Sequence, residues 1–502
     1  MANYLYDSVF GTFEESSKPF LITPNEVISF VEFSAYTNRI ANCLISAGLT
    51  PGDRVAVQAE KSVTQLALYA ATVKAGGVYL PLNTGYTALE VDYFLKDAQP
   101  AVVVVSQTSQ EAIFPFSMLL KAVLLTLNKD ETGSLAEQAN KASDQFNAVD
   151  RDSEDLAAIL YTSGTTGRSK GAKICHRNLV SNAQVLAETW QFTSDDSLLH
   201  MLPIYHTHGL FVACNLLAMV GGSMIFLQKF SVEHALTWMP QATTMMGVPT
   251  FYTRLLDDEK FTRKATMHMR LFISGSAPLL TETHNRFEAR TGQLILERYG
   301  MTETNMSTSN PYTGARLAGT VGQALPGVDL RIVDPETGEL VSTGEIGIIE
   351  LKGDSVFLGY WEMEQKTAES FREDGYFITG DMAQQDENGY VTIVGRDKDL
   401  IISGGLNIYP KEVEALIDEL DSVIESAVIG AAHEDFGEGV VAVLVTADDT
   451  LSQEQIIEYL KDKIAKFKQP KAIFFVSSLP RNSMGKVQKT DLRKTYANVF
   501  SG

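Results

Sequence analysis

From the N-terminus to about residue 400, short apolar runs alternate with segments of helical periodicity. The apolar runs predict strands at RVAVQAE, AVVVVS, AVLLTL, LAAILYTS, SMIFLQ, TTMMGVP, RLFISGS and QLILERYG. The periodic segments predict helices at FVEFSAYTNRIANCLISAG, VTQLALYAATVKAGG and HRNLVSNAQVLAETW. Alternation of this kind is typical of α/β folds whose sheets are mostly parallel.

From about residue 325 the pattern changes. Short strands separated by turn residues, in LRIVDPETGEL, GEIGIIELKG and YVTIVGR, predict a small antiparallel sheet or barrel up to residue 396. The charged GRDKD segment follows as a predicted hinge. The tail predicts a small α+β domain, with helices at KEVEALIDEL and QEQIIEYLKDKIA and strands at SAVIGAA, GVVAVLVT and KAIFFV.

Length and charge limit the classes of function. The chain has 502 residues, which is long for one hydrophobic core, so we expect two or more domains. Its formal net charge of −21 disfavours nucleic acid and anionic membranes as partners. The same charge repels anionic ligands, so an anionic substrate would require Lys, Arg, backbone amides or a metal ion placed at its site.

The sequence also predicts a location. It contains no run of about 18 apolar residues that would span a membrane. The first residues, MANYLYDSVFGTFEE, have neither the basic nor the apolar region of a signal peptide. Cys43, Cys175 and Cys214 lie too far apart in sequence to suggest a disulfide framework or a metal knuckle. We therefore expect a cytoplasmic protein.

The segment LYTSGTTGRSKGA, residues 160–172, has the composition of a phosphate-binding loop. Backbone N–H groups in such loops bind anions, and Gly allows their close approach. A Walker A loop needs Lys directly after its second Gly, but Arg168 and Ser169 separate Gly167 from Lys170. A P-loop kinase is therefore disfavoured. The alternative is a flexible surface loop without a binding role, although a simple linker has no need of so many hydrogen-bond donors.

The loop resembles the signature of the adenylate-forming enzymes, which include acyl-CoA synthetases, luciferases and peptide-synthetase adenylation domains. RYGMTET at 298–304, YFITGDMAQQDENGYVTIVGR at 376–396 and LPRNSMGKVQK at 479–489 resemble later motifs of that family, in family order. The resemblance covers nearly the whole chain. It implies an α/β fold. Residues 1–397 would form a large N-terminal domain, with two α/β subdomains and a small β-barrel-like subdomain, and residues 398–502 a small mobile α+β lid domain.

The family joins a carboxylic acid to ATP, giving an acyl-adenylate and pyrophosphate, and CoA then displaces AMP. The resemblance implies that Thr302 contacts the α-phosphate and that Glu303 binds Mg²⁺, which favours carboxylate and phosphate oxygens. A solvated loop carboxylate is the alternative for Glu303. Asp381 and Arg396 would bind the ribose, or would form a structural ion pair. The other implied nucleotide-binding residues are Thr162, Ser163, Gly164, Thr165, Thr166, Gly167, Lys170, Ser276, Ala277, Glu297, Tyr299, Gly300 and Met301.

The resemblance gives Lys486 the main catalytic role. Its positive charge would neutralise the negative charge that gathers where the carboxylate meets the α-phosphate. On sequence alone, a Lys on a tail loop is more often a solvated charge. CoA could enter only after Lys486 leaves, and the family achieves this by domain rotation about a hinge, here Lys398. Ser403, Gly404 and Gly405 would line the CoA tunnel. Acetylation of Lys486 by an acetyltransferase, reversed by a deacetylase, would abolish its charge.

The resemblance places the acyl pocket at His206, also a predicted catalytic residue, and at Thr207, Arg254, Arg298 and Met306. An Arg beside an apolar acyl tail is costly, whereas it binds a second carboxylate bidentately. The strings LPIYHTHGLFVACN, ERYGMTETNMSTSNPY and GTVGQALPGVDLRIVDPETGEL resemble malonate–CoA ligases of this family. This implies malonate as the acid, with methylmalonate tolerated. The alternatives are a helix-surface cation for Arg254 and an ion pair with Glu297 or Glu303 for Arg298.

Other functions stay open on the sequence alone. A CoA ligase for a monocarboxylic acid would share every catalytic residue and differ only in the pocket. A carrier-loading adenylation domain is disfavoured because residues 487–502 are too few for an attached carrier, but a stand-alone loader would fit. A P-loop kinase would release ADP, and a nucleotide-binding module would bind without turnover. The sequence does not decide between a monomer and a homodimer.

Overall fold

The computed structural model describes residues 2–162, 169–403, 406–433, 436–447, 451–461, 463–464, 466–482 and 485–500. The chain divides into two compact units. The first comprises residues 1–329 and 351–377, and the second comprises residues 330–350 and 378–502. The boundary predicted at 397/398 is not one of these division points and stays a prediction.

The helices begin and end within the described residues as follows. The α-helices are α1 (Tyr4–Val9), α2 (Phe30–Ser46), α3 (Val63–Lys74), α4 (Ala88–Ala98), α5 (Gln107–Leu120), α6 (Ser134–Ala139), α7 (His176–Thr189), α8 (Asn215–Val220), α9 (Val232–Trp238), α10 (Pro249–Leu256), α11 (Arg263–Thr266), α12 (Thr281–Thr291), α13 (Glu364–Glu369), α14 (Pro410–Ile417), α15 (Gln453–Leu460) and α16 (Lys489–Thr495). A π-helix spans His208–Cys214. None of the helices within the described residues has the length and the apolar composition of a membrane span.

The strands are numbered in the same way. They are β1 (Pro19–Ile22), β2 (Val27–Ser29), β3 (Arg54–Gln58), β4 (Val78–Pro81), β5 (Val102–Val105), β6 (Val123–Thr126), β7 (Leu156–Thr162), β8 (Lys170–Cys175), β9 (Ser197–His200), β10 (Ser223–Phe226), β11 (Thr244–Gly247), β12 (Leu271–Ser274), β13 (Ile295–Met301), β14 (Asn305–Ser309), β15 (Gln323–Ala324), β16 (Val328–Val333), β17 (Gly347–Gly353), β18 (Phe377–Gln385), β19 (Val391–Arg396), β20 (Ile401–Ser403), β21 (Leu406–Ile408), β22 (Val423–His433), β23 (Gly437–Thr446) and β24 (Ala472–Phe475).

The first unit contains two largely parallel sheets. One has the strand order β6-β5-β3-β4-β7-β8 and is parallel except where β7 meets β8. The other has the order β15-β14-β13-β12-β11-β9-β10-β1-β2 and is parallel from β13 to β1. Helix α3 is buried on every side within this unit, as expected of a helix in the interior of a layered domain. The predicted α/β class is confirmed.

The β7–β8 pairing corrects the expected surroundings of the phosphate loop. The sequence suggested a strand, a loop and then a helix near His176, but strand β8 precedes that helix and pairs antiparallel with β7, Thr162 opposite Lys170. Burial of Ala172 and Ile174 favours the strand. Residues 163–168 therefore connect two antiparallel strands. A P-loop leads from a strand directly into a helix, so this connection disfavours the P-loop kinase.

The second unit combines two smaller sheets. Most of a four-stranded sheet with the order β16-β17-β18-β19 belongs to it, and β18 pairs antiparallel with β19. The other sheet has the order β21-β20-β23-β22, with β24 parallel to β23. Apolar residues of this sheet and of α14 and α15 form a core. The small α+β tail is thereby confirmed.

Candidate active site

Four neighbouring parallel strands of the first unit end at one edge of their sheet. Strands β9, β11 and β12 end at His200, Gly247 and Ser274, and β13 runs beside them. Ligands of open α/β sheets bind at the carboxyl ends of the strands. The predicted segments 206–208, 275–277 and 297–302 follow these strand ends or lie on β13, so the fold brings them to the same edge.

Arg298 is a buried cation on β13. At this residue the strand changes from parallel pairing with β12 to antiparallel pairing with β14. The side chain is 3 % exposed, and neither Nε nor Nη2 has a hydrogen-bond partner among the described residues. Burial lowers the pKa of Arg298 to about 9, so the guanidinium stays charged at neutral pH. A buried charge with unsatisfied donors strongly favours an anionic ligand.

Within the described residues Arg298 forms no ion pair with Glu297 or Glu303, although the Glu297 charge partly offsets the lowering of the Arg298 pKa by burial. Glu297 Oε1 accepts the backbone N–H of Leu279 at 3.1 Å, and the Glu297 carbonyl accepts the Asn310 amide at 3.0 Å. Glu303 accepts the Tyr360 hydroxyl at 3.1 Å. Glu297, predicted to contact the nucleotide, therefore fastens the segment that follows β12.

Gly275 provides the space in which the Arg298 guanidinium lies. A Cβ at Gly275 would be 2.4 Å from Arg298 Cζ, 2.5 Å from Nη1 and 2.6 Å from Nε. These separations are far below van der Waals contact, and the atoms involved belong to the charged group itself. A side chain at position 275 is therefore incompatible with this position of Arg298.

His208 and Ser276 join two of the predicted segments. The Nδ1 atom of His208 is 3.1 Å from the Ser276 hydroxyl, and Ser276 has a left-handed φ of 71°. Burial, and then the nearby charge of Arg298, hold the pKa of His208 well below its ordinary value, so the imidazole is neutral. The His208 Nε2, Thr207 Oγ1 and Ser274 Oγ atoms are buried without a hydrogen-bond partner in the described structure.

Met306 is fixed by its backbone. The Asn182 side chain of α7 donates to the Met306 carbonyl at 2.9 Å and accepts the Met306 N–H at 3.2 Å. Met306 is buried. Across the hairpin, a Cβ at Gly300 would be 1.9 Å from the Asn305 carbonyl oxygen, so this turn requires glycine. The hairpin holds Thr302, half-buried, at its tip.

Other predicted residues of this unit have more ordinary surroundings. Tyr299 is half-buried, and its hydroxyl lies 3.9 Å from Met301 Sδ. Ala277 is half-buried in the segment after β12. His206 is half-buried and stacks edge-on against Tyr205, with ring centroids 4.6 Å apart. Arg254 is exposed on α10, and its place in the acyl pocket stays a prediction.

A second cluster of predicted residues surrounds Tyr360. The Tyr360 hydroxyl donates to Glu303 Oε1, and the Lys170 ammonium lies 4.1 Å from the centroid of the Tyr360 ring. Glu303 is buried. Thr162 is opposite Lys170 on the paired strand. Sequence reasoning missed Tyr360, because a Tyr in GYWE belongs to no metal-ligand, nucleophile or phosphate-loop pattern.

Lys61 and His200 form a buried pair that contacts the π-helix His208–Cys214. Lys61 Nζ is 2.6 Å from His200 Nδ1 and 2.9 Å from the His200 carbonyl, and His200 Nε2 is 2.8 Å from the Gly209 carbonyl. Burial lowers the pKa of both side chains well below their ordinary values. A neutral His200 that donates from Nε2 and accepts at Nδ1 satisfies these contacts. The pair thus anchors the π-helix that begins at His208.

In the second unit, Asp381 and Arg396 face each other across paired strands. Arg396 Nε is 3.0 Å from Asp381 Oδ1, with the carboxylate side chain 6 % exposed and the guanidinium side chain 44 % exposed. Asp381 lies within β18, and the strand continues through it because Asp381 pairs with Arg396 of β19. The ion pair leaves both proposed roles, ribose binding and structure, open.

Lys486 is exposed. Asn482 Oδ1 accepts the Lys486 N–H at 2.9 Å, and the Asn482 N–H donates to the Lys486 carbonyl at 2.9 Å. Arg481 donates to the Gly485 carbonyl at 2.6 Å. Lys489 pairs with the buried Glu414 of α14 at 2.6 Å. Described residues on both sides of Lys486 are therefore fastened by hydrogen bonds or an ion pair.

The remaining predicted residues divide into described and undescribed ones. Lys398 is exposed, and its carbonyl accepts a hydrogen bond from Arg493 at 2.8 Å. Ser403 is buried at the end of β20. The residues that lie outside the described parts of the chain are Ser163, Gly164, Thr165, Thr166, Gly167, Gly404 and Gly405.

Comparison with known proteins decides the family. The model of the AMP-binding enzyme family matches residues 13–361, and that of the AMP-binding enzyme C-terminal domain matches residues 412–486. The chain belongs to the AMP-binding enzyme family. This family assignment confirms the resemblance found in the sequence motifs, and it agrees with a sheet edge that gathers the predicted residues.

Individual relatives are similar along nearly the whole chain. The malonate–CoA ligase of Arabidopsis thaliana is 34 % identical over 485 residues, covering 90 % of this chain and 79 % of the relative. The mitochondrial malonate–CoA ligase ACSF3 of Mus musculus is 33 % identical over 495 residues, covering 91 % and 83 %. The crystal structure of ATP-bound MatB from Rhodopseudomonas palustris is 54 % identical, covers 100 % of both chains and superposes with a TM-score of 0.98.

Proposed function

We propose that this AMP-binding enzyme is a malonate–CoA ligase, which converts malonate, ATP and CoA to malonyl-CoA, AMP and pyrophosphate through a malonyl-adenylate. The observation that carries the choice of acid is Arg298, a buried guanidinium at the edge of the sheet whose Nε and Nη2 donors find no partner within the described parts of the chain. Malonate has a second carboxylate that would accept those donors, whereas a monocarboxylic acid would leave them unsatisfied. The relatives named for malonate support the same choice.

In the first step, one malonate carboxylate oxygen attacks the α-phosphorus of ATP, and the bond to the β-phosphate oxygen breaks to release pyrophosphate. Arg298 would hold the distal carboxylate and so orient the reacting one. Thr302, at the tip of the β13–β14 hairpin, would donate to the α-phosphate. Lys486 would neutralise the negative charge that gathers where the two anions join.

The chemistry of the donor set fits Mg²⁺. Among the described residues, no group of three His, Cys, Asp or Glu side chains could hold a metal ion without further ligands. Mg²⁺ commonly binds through one or two carboxylates together with substrate phosphates and water. The Glu303 carboxylate and ATP would provide such ligands. When bound, the ion would neutralise phosphate charge, and Lys170 would add a positive charge beside it.

In the second step, the CoA sulfur attacks the acyl carbonyl carbon of malonyl-adenylate, and AMP leaves with the electrons of the acyl–oxygen bond. His208, which is neutral and hydrogen-bonded to Ser276, would help hold the neighbouring acyl-pocket residues His206 and Thr207 in place. Ser403, Gly404 and Gly405 stay the predicted CoA-binding residues, and Lys398 stays the predicted hinge. Asp381 and Arg396 would bind the ribose of the nucleotide.

An acid panel tests the proposal. Pyrophosphate release is measured with malonate, methylmalonate, acetate, butyrate and benzoate, with and without CoA, and the nucleotide product is identified. We expect malonate to be the best substrate, with AMP as the product. Better turnover of acetate or of a medium-chain acid at equal concentration would contradict the choice of acid, and ADP would contradict the reaction.

Variants link the acid to Arg298. Loss of a charged hydrogen bond costs about 1.5–3 kcal/mol, so Arg298→Ala should lower kcat/KM for malonate by roughly 10- to 100-fold. Activity with acetate, which lacks the second carboxylate, should change much less. Arg286→Ala, on the exposed face of α12 with a half-exposed side chain, is the matched control. Equal losses with both acids would contradict a role in acid selection.

Several finer expectations accompany this function as proposals. Methylmalonate would be accepted, the protein would be cytoplasmic, and it would be a monomer or a homodimer. Lys486, which is exposed, would be acetylated and deacetylated by partner enzymes. Mass spectrometry of native protein from different growth conditions tests the acetylation, and Lys486 found unmodified under all of them would contradict it.

A further inference from the structure

The segment around Tyr360 is fastened to the strand that follows the phosphate loop. The Leu358 N–H donates to the Lys173 carbonyl, and the Lys173 N–H donates to the Gly359 carbonyl, both at 2.9 Å. The Trp361 N–H donates to the Gly171 carbonyl at 2.7 Å. Tyr360 thus sits directly opposite Ala172 of β8 as an extra bridge on that strand. These bonds fix the backbone of Tyr360 beside Lys170.

The same segment also holds the hairpin that carries Glu303. The Phe357 N–H donates to the Glu303 carbonyl at 2.8 Å, and the Asn305 side chain donates to the Ser355 carbonyl at 3.2 Å. Asn305 has a left-handed φ of 51°. The Glu303 backbone and strand β8, which begins at Lys170, are therefore both attached to residues 355–361.

The Tyr360 side chain contacts both charged groups. Its hydroxyl is 3.1 Å from Glu303 Oε1, and the face of its ring is 4.1 Å from the Lys170 ammonium. Tyr360 is 4 % exposed, its ring packs edge-on against Phe357, and Phe377 belongs to the same apolar cluster. Burial, followed by the charge of Glu303, raises the pKa of Tyr360, so the hydroxyl keeps its proton and acts as the donor.

We propose that Tyr360 is a positioning residue that orients the Glu303 carboxylate for Mg²⁺ and holds Lys170 beside it. The inference rests on the proposed nucleotide role of these two residues. A carboxylate that is already oriented loses less rotamer freedom when the ion and ATP bind, and the aromatic face holds a cation without neutralising it. The hydroxyl would act on Glu303 and the ring on Lys170, so the two contributions are separable by substitution.

Two substitutions separate them. Tyr360→Phe keeps the ring and removes the hydrogen bond to Glu303. We expect the free Mg²⁺ concentration that gives half-maximal pyrophosphate release to rise about five- to tenfold, the effect of one lost hydrogen bond, with KM for malonate unchanged. Tyr360→Leu should in addition raise KM for ATP. Mn²⁺ in general binds oxygen ligands more tightly than Mg²⁺. With Mn²⁺ in place of Mg²⁺, the half-maximal metal-ion concentrations of Tyr360→Phe and of the wild type should therefore differ less.

A binding readout is independent of turnover. The rise in Tm on adding ATP with Mg²⁺, compared with ATP and EDTA, is measured without malonate, and Tyr360→Phe should reduce this Mg²⁺-dependent rise. The matched control is Tyr69→Phe, which removes another buried hydroxyl, one that accepts from Asn215 at 3.2 Å within the same unit. It should leave both the Mg²⁺ dependence and the Tm rise as in the wild type.

The outcomes separate this inference from the proposed function. Wild-type Mg²⁺ dependence and a wild-type Tm rise in Tyr360→Phe would overturn the inference, as would an equal change in Tyr69→Phe. An equal rise in KM for malonate would indicate general distortion and would also overturn it. If malonate gives no pyrophosphate even with the wild type, the choice of acid fails, while the Tm comparison still decides the role of Tyr360. Should Tyr360→Leu not fold, Tyr360→Phe decides alone.

Discussion

The guanidinium of Arg298 occupies the space that a side chain at Gly275 would fill, because a Cβ there would be 2.4 Å from Arg298 Cζ. Arg298 lies on β13, and Gly275 directly follows β12, the strand that pairs in parallel with the first part of β13. A charged group held against the backbone in this way is fixed although neither its Nε nor its Nη2 has a hydrogen-bond partner among the described residues. Its donors stay available for a ligand, and position 275 controls where they point.

Gly275→Ala should therefore displace Arg298. We expect KM for malonate to rise by roughly tenfold or more, the effect of losing a charged hydrogen bond, with a smaller effect on KM for ATP. Steady-state pyrophosphate release provides the measurement. The control is Gly11→Ala, where an added Cβ meets only ordinary contacts of 3.6–3.8 Å. An unchanged KM for malonate in Gly275→Ala would show that Arg298 does not bind the acid from this position.

Lys486 should matter for adenylation alone. Lys486→Met removes its charge, and we expect malonate-dependent pyrophosphate release to fall by at least about 100-fold, the usual cost of losing one preorganised electrostatic contact. Thioester formation from preformed malonyl-adenylate and CoA should persist. Lys494→Met, an exposed Lys on α16 with its side chain 74 % exposed, is the control. Equal loss of both half-reactions in Lys486→Met would argue for a structural role.

Asp381 should discriminate between nucleotides if it accepts the ribose hydroxyls. In that case Asp381→Asn should reduce the preference for ATP over 2′-deoxy-ATP, measured as the ratio of kcat/KM values. Glu350→Gln is a matched control, since the buried Glu350 forms an ion pair with Arg331 at 2.8 Å in the same unit. If Asp381→Asn and Glu350→Gln lower stability similarly and neither changes the nucleotide preference, the Asp381–Arg396 pair is structural.

His176 should make stability depend on pH. It accepts the Leu5 N–H at 3.1 Å, and burial, with the charge of Arg151, lowers its pKa from 6.5 to about 4. Below about pH 6.5 the unfolded chain binds a proton at His176, whereas the folded chain does so only below about pH 4. Stability should fall as pH falls through this range, by up to about 3 kcal/mol.

The measurement is the midpoint of thermal unfolding at several pH values between 7.5 and 4. His176→Asn keeps a polar side chain that does not titrate, so this variant should show a shallower decline than the wild type. Equal slopes for the two proteins would show that other groups account for the pH dependence. His234, which is exposed on α9, offers a control, and His234→Asn should keep the wild-type slope.

The local sequence was sufficient for the fold class and for the reaction family. Runs of apolar positions predicted β3, β5, β6 and β7 of one sheet and β10, β11, β12 and β13 of the other, because burial on one face or on both imposes those periods. The motifs carrying Glu303, Asp381 and Lys486 are short contiguous segments, so a resemblance could be recognised without knowledge of the fold. Strand β8 was missed because six residues after a Gly-rich loop resemble a loop continuation until their partner β7 is known.

The tertiary structure alone decided which side chains meet. The sequence named Arg298 but left an ion pair open for it; only the packing of Gly275 against its guanidinium, and the absence of a partner for Nε and Nη2 among the described residues, favoured a ligand. Tyr360 and Glu303 are 57 positions apart. Hydrogen bonds and burial depend on distances in space, which a local pattern does not encode, so the chain specified the reaction class and its folding specified the surroundings of each charge.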